Sequence, residues 1–225
     1  MKKITLIFLI YFFQFFNLSS DEPKLEEVIR GLNNPWSLSF IKDEDILITE
    51  KSGSILKINL INKKIKKLPH NLNILEDGQG GLLEVLFKNN EIFVSYSEDR
   101  GKGKSSTSVA KASINDRELN FTNIFRAEPP INSGYHFGSR LTIKDNYLFI
   151  TVGERGKGMI AQDAKKHPGS IVRIHLDGSI PENNPKFENK KNWLPEIYQI
   201  GVRNPQGMAL SPFNNEIYLT NHGAK

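Results

Sequence analysis

Cysteine is missing from all 225 residues, so neither a disulfide nor a thiolate-held metal can support the fold. After residue 20 no apolar run is long enough to cross a bilayer, and no sustained 3.6-residue hydrophobic period appears. Those two absences exclude a helical membrane protein and a helix bundle. Arginine is scarce, with 8 among 30 cations, and no basic helix interleaved with aromatics occurs. Nucleic-acid binding therefore has no electrostatic footprint, and Lys63, Lys64, Lys66 and Lys67 read as a solvated polar face. The few arginines that fall in glycine-rich loops stand out, because a planar guanidinium fork is what lysine cannot replace.

What remains is ordinary globular composition: 38% hydrophobic, 24% charged and 10% aromatic, which excludes disordered and collagen-like classes. Residues 1–20 combine Met1-Lys2-Lys3, an apolar stretch from Ile4 to Leu18 and the small pair Ser19-Ser20. This is the layout of a secretory signal peptide, with an uncleaved anchor as the competing reading. Cleavage would leave a mature chain of residues 21–225 with no membrane span, periplasmic or secreted.

The main organisational signal is a repeat. Four apolar runs end in a hydroxyl residue, at Thr49, Ser95, Thr151 and Thr220, spaced 46, 56 and 69 residues apart. Each follows a polar turn and another short apolar run, at 38–40, 82–87, 141–143 and 208–210. A third element recurs as Gly53-Ser54-Ile55-Leu56-Lys57-Ile58 and Gly169-Ser170-Ile171-Val172-Arg173-Ile174. Strand-turn-strand units at about 50-residue spacing predict the blades of a β-propeller. In the third unit, residues 152–168 form an insertion holding Glu154, Arg155, Gly156, Gln162 and Asp163. Insertions in a tight repeat are often functional.

Aligned on the hydroxyl residue, the units place Trp36, Gln79, His136 and Arg203 in the loops leading into the innermost strands. On a propeller those loops ring one mouth of the central channel, so the four positions are expected to converge. Taken singly, each residue reads equally well as turn or packing chemistry. Asp177-Gly178 and Pro181-Glu182-Asn183-Asn184-Pro185 read as turns.

These residues resemble a known family, the soluble pyrroloquinoline quinone (PQQ) dependent aldose or glucose dehydrogenases, also called the glucose/sorbosone dehydrogenases. The resemblance rests on Gly31-Leu32-Asn33-Asn34-Pro35-Trp36, Gly78-Gln79-Gly80-Gly81, His136-Phe137-Gly138-Ser139-Arg140, Val152-Gly153-Glu154-Arg155-Gly156, Gly169-Ser170-Ile171-Val172-Arg173, the 177–185 segment and Gly201-Val202-Arg203-Asn204-Pro205-Gln206-Gly207. They occur in family order over residues 31–224.

The resemblance implies an all-β, six-bladed propeller, of which residues 21–225 supply about three and a half blades, and hence a chain that is a fragment of a longer product. It implies PQQ and a calcium ion on the top face, a sugar substrate and an external electron acceptor. The C1 hydroxyl of an aldose would be oxidised to a lactone, with hydride passing to PQQ. By the same resemblance His136 is the general base, Glu154 stands where the family has an Asp that orients it, and Arg203 lies near the quinone oxygen. Gln79, Arg203 and Asn204 match cofactor contacts. Gly223 and Ala224 match the backbone carbonyls that hold calcium, within Asn221-His222-Gly223-Ala224 where the family usually has Glu-His-Gly-Pro. Rival expectations are a calcium-dependent propeller lactonase or other hydrolase, which would need a ring of carboxylates, and a non-catalytic binding propeller.

Overall fold

The computed structural model describes residues 23–115, 117–185 and 192–223. The expected signal segment and Ala224 lie outside the described residues. Within them, three four-stranded antiparallel sheets and one two-stranded sheet follow each other along the chain. The first contains β1 (Pro35–Phe40), β2 (Asp45–Glu50), β3 (Ile55–Asn59) and β4 (Ile65–Leu68). The second contains β5 (Leu82–Lys88), β6 (Glu91–Asp99), β7 (Ser105–Ser113) and β8 (Thr122–Arg126). The third contains β9 (Gly138–Lys144), β10 (Tyr147–Val152), β11 (Ser170–His175) and β12 (Ile197–Ile200). The hairpin of β13 (Pro205–Leu210) and β14 (Ile217–Asn221) follows. The helical structure among the described residues is a 3-10 turn at Gly158–Gln162, inside the long insertion of the third sheet.

Each sheet is a simple meander, and the first strands β1, β5, β9 and β13 lie side by side in that order. Polar side chains cross from one to the next around the inner wall. Ser37 donates to Glu84 at 2.8 Å, Glu84 pairs with Arg140, and Arg140 Nε donates to the Gln206 carbonyl at 2.7 Å. Apolar side chains fill the spaces between sheets. Leu47, Ile55 and Leu68 pack on Leu82, Ile92 and Val94, while Phe93, Val109 and Phe125 pack on Leu141, Leu148 and Val172. Phe149, Ile171 and Val202 meet Met208 and Leu219 of the hairpin. Three and a half propeller blades is what the repeat predicts.

In three of the four repeats the marking hydroxyl has a structural task. In all four units the pairing of the first and second strands slips near the start of the first strand, a bulge that leaves backbone groups unpaired. Ser95 Oγ accepts from Glu84 N at 3.1 Å in its own sheet and donates to the Ser139 carbonyl of the next sheet at 2.5 Å. Thr151 Oγ1 accepts from Arg140 N at 2.8 Å and donates to the Pro205 carbonyl at 3.0 Å. Thr49 Oγ1 donates to the Leu83 carbonyl at 2.5 Å. One hydroxyl thus satisfies the bulge and ties blade to blade. The lysine cluster also finds its place: Lys66 and Lys67 are exposed on β4, an outermost edge strand, where charge discourages pairing with another chain.

Candidate active site

His136 sits two residues before β9 with φ of +51°, a left-handed backbone that turns the loop back on itself. That turn needs close support. A Cβ on Gly153 would lie 2.0 Å from the His136 carbonyl oxygen, so only glycine lets the end of the third blade's second strand pass beneath. The His136 N–H donates to Gln79 Oε1 at 2.8 Å, and Gln79 N donates to the Gly134 carbonyl at 2.7 Å. Gln79 and His136, 57 residues apart, therefore do converge as the repeat alignment expects.

The imidazole Nδ1 is in a short hydrogen bond with Glu154 Oε1. Glu154 is 3% exposed, and its second oxygen accepts the Gly158 N–H at 2.8 Å from the start of the 3-10 turn. Burial pushes the Glu154 carboxyl upward, but the hydrogen bonds from Gly158 and His136 outweigh it and hold the carboxyl below its ordinary 4.5. An ionised Glu154 accepts, so Nδ1 carries the proton. Nε2, which has no protein partner among the described residues, is left with its lone pair.

Arg203 completes the group. Its carbonyl accepts the Glu154 N–H at 2.8 Å, its Nε is 4.0 Å from Glu154 Oε1, and its side chain is 34% exposed. Nη1 donates to the carbonyls of His222 at 3.1 Å and Gly223 at 3.3 Å. The Arg203-Asn204 turn is held by Asn221, whose Oδ1 accepts both N–H groups at 3.2 and 2.9 Å. Asn221, a departure from the family's usual Glu, thus has a definite role here. Asn204 is buried, with Oδ1 accepting the Gly138 N–H at 3.1 Å, and so links β9 to β13.

Trp36 does not join this group. It lies inside β1 rather than in the loop before it, and lines an apolar cavity of about 670 Å³ with Val28, Ile29, Leu32 and Ile48. Trp36 stands 13 residues before Thr49, closer to its hydroxyl than the 15 to 17 residues of the other three, and so lies within the strand. The 177–185 segment is also more than turn chemistry. Asn184 is buried and bonds Arg173 Nε at 2.5 Å, while the Arg173 guanidinium lies 4.7 and 5.0 Å from the rings of Tyr147 and Tyr198. A buried arginine clamp there was signalled only by the scarcity of arginine.

Calcium takes six to eight oxygen ligands. Of the two expected carbonyl ligands Gly223 alone is described, and its oxygen accepts from the Arg203 guanidinium. No group of three or more His, Asp or Glu side chains that could hold a metal exists among the described residues. No step below uses a calcium ion.

A propeller that brings together a carboxylate-paired imidazole, an amide and a partly exposed guanidinium defines a class of site: an imidazole with an uncommitted ring nitrogen beside a cationic group. Comparison with known proteins sharpens this. Residues 32–225 match the family described as Glucose / Sorbosone dehydrogenase. The chain is 35% identical over 204 residues to the aldose sugar dehydrogenase YliI of Escherichia coli strain K12, covering 86% of this chain and 55% of the relative. It is 29% identical over 255 residues to quinoprotein glucose dehydrogenase B of Acinetobacter calcoaceticus, covering 93% of this chain and 50% of the relative. A crystal structure of a glucose dehydrogenase superposes with a TM-score of 0.84 at 33% identity, covering 89% of this chain and 61% of that one. The apo-form of the soluble aldose sugar dehydrogenase of E. coli does so with a TM-score of 0.82 at 35% identity, over 88% and 60%. The chain belongs to the glucose/sorbosone dehydrogenase family. It spans about half the length of the curated relatives it matches.

Proposed function

We propose that this chain carries the base-bearing part of a PQQ-dependent aldose dehydrogenase, oxidising the C1 hydroxyl of a sugar to the lactone and passing electrons to an external acceptor. The observation that carries the reading is the His136–Glu154 pair beside Arg203. The quinoprotein name of the Acinetobacter relative supports the cofactor, and the donor set suits it. A guanidinium that spends Nη1 on backbone carbonyls and stays partly exposed can accept an anionic, oxygen-rich partner. Gln79, whose oxygen is committed to His136 N, has its amide N–H groups left as donors.

When bound, PQQ supplies the two-electron acceptor for the hydride that leaves C1. His136 Nε2 takes the hydroxyl proton in the same event, so the alcohol loses two electrons and two hydrogens and becomes the C=O of the lactone. Glu154 keeps Nδ1–H in place and stabilises the imidazolium that forms. Arg203 faces negative charge developing at the mouth and lowers its energy in a site partly screened from water. An extracytoplasmic location, from the leader-like residues 1–20, belongs to the same proposal.

The test is aldose-dependent dye reduction by purified protein incubated with PQQ, alongside quinone absorbance retained after gel filtration. Retained absorbance with turnover, and loss of turnover alone in His136→Ala, is the expected result. Absence of both with every aldose tried would overturn the reading.

A further inference from the structure

Next to Glu154 stands a residue that the proposed reaction leaves unused. Arg155 is 2% exposed and is among the largest fully buried side chains. A guanidinium so deeply buried is costly unless its N–H groups are all met. Here Nε donates to the Tyr135 carbonyl at 3.0 Å, and Nη1 to the Ser105 carbonyl at 2.8 Å. Nη2 bonds Ser105 Oγ at 3.0 Å and the Ser133 carbonyl. The guanidinium carbon lies 3.7 Å over the Phe137 ring. Burial draws the Arg155 pKa down to about 10, with Asp77 acting in the opposite sense, so the charge persists at neutral pH.

The partners fall in a pattern. Ser133, Tyr135 and Phe137 belong to the loop that carries His136, on both sides of it, and Ser105 begins β7 of the neighbouring blade. The Arg155 N–H also donates to the His136 carbonyl at 3.3 Å. Two consecutive residues therefore hold one histidine: Glu154 grips the ring, and Arg155 grips the backbone before it and the Phe137 ring after it, and fastens that loop to the second blade. The left-handed conformation at His136 is unfavourable in isolation and persists only if its surroundings impose it.

We propose that Arg155 is a positioning residue for His136, holding the loop from Ser133 to Phe137 so that the imidazole meets Glu154. The kinetic part of this proposal rests on the function proposed above; the structural part does not. Lysine keeps the charge but cannot span four acceptors on three residues.

The test uses the protein without cofactor first. The exchange-protected His136 Nδ1–H proton resonance, assigned by its disappearance in His136→Gln, reports the Glu154 contact directly. Arg155→Lys should lose that signal while far-UV circular dichroism stays as in wild type. In Arg155→Ala, millimolar guanidinium, well below denaturing concentration, should restore it. In the aldose assay Arg155→Lys should lower kcat by about 10²-fold, the scale of a misplaced catalytic group, with KM nearly unchanged. A folded Arg155→Lys that keeps the resonance and kcat would overturn the proposal. So would global unfolding of both variants, which would make Arg155 a general structural residue. If His136→Ala itself retained turnover, the proposed function would fail while the resonance still decided the role of Arg155.

Discussion

The third blade holds two histidine–glutamate pairs, each with one buried and one partly buried member, and they are chemically alike up to one atom. His136 meets Glu154 through Nδ1, and His167, in the loop before β11, meets Glu196 through Nε2 at 2.7 Å. Both carboxyls are pushed up by burial, and both are held below 4.5 because hydrogen bonds outweigh that push, chiefly from the Gly158 N–H and His136 at Glu154 and from His167 at Glu196. The remaining nitrogen differs. His167 Nδ1 accepts the Glu128 N–H at 2.8 Å, and its ring stands edge-on to Phe125 at 5.1 Å, so both nitrogens are consumed inside the wall. His136 leaves Nε2 without a protein partner among the described residues. A carboxylate partner is common to both; an uncommitted second nitrogen, which the proposed base needs, is not.

Exchanging the damage between the pairs should break them apart most clearly. His136→Ala is expected to cut aldose oxidation on the order of 10³-fold with little change in Tm, whereas His167→Ala leaves turnover near wild type in the same dye assay. Next in size, Glu154→Gln should slow turnover on the order of 10²-fold, since the amide cannot balance an imidazolium, while Glu196→Gln should not. Stability reverses the order. His167→Ala leaves the Glu128 N–H and the Glu196 carboxylate without their buried partner and should cost about 1–3 kcal/mol by denaturant unfolding.

The acid limb of stability sharpens the likeness rather than the difference. A carboxyl whose folded pKa is depressed contributes stability that is present above its unfolded pKa and is lost as pH falls through its folded pKa. Glu154 and Glu196 both do this, below the ordinary 4.5. Replacing either with Gln should flatten the fall of Tm as the pH drops below the ordinary 4.5, an effect measurable by thermal unfolding in a pH series. Smallest of all, Thr151→Val removes the tie to the Pro205 carbonyl and should cost about 1 kcal/mol in denaturant unfolding, with the His136 pair untouched.

Much of this architecture was legible beforehand because it is local. Alternating apolar residues bounded by Gly, Asn and Asp announce strands and turns, and β2, β6, β10 and β14 fall on the four runs that end in a hydroxyl. Gln79, His136 and Arg203 stood at matching positions of the repeat, and the structure brings them together. The same alignment misplaced Trp36, which stands 13 residues before its hydroxyl where the other three stand 15 to 17 before theirs, and so falls inside the strand. The purpose of the hydroxyls was invisible, since their acceptors are carbonyls 34, 44 and 54 residues away in the next blade. Arg155 and Asn221 were in view in the sequence, but what they do was hidden for the same reason: their partners are chiefly backbone atoms, which no side-chain pattern records.

The amino-acid sequence by itself determined the blades, their order and the set of polar residues delivered to one mouth, because strand periodicity and turn chemistry act over a few neighbours. Tertiary structure alone decided which histidine keeps a free nitrogen and which arginine is sealed inside. Hydrogen-bond satisfaction is a property of the whole surroundings: His136 and His167 each have a carboxylate, and only around His167 do Glu128 and Phe125 pack so that the second ring nitrogen is taken up as well.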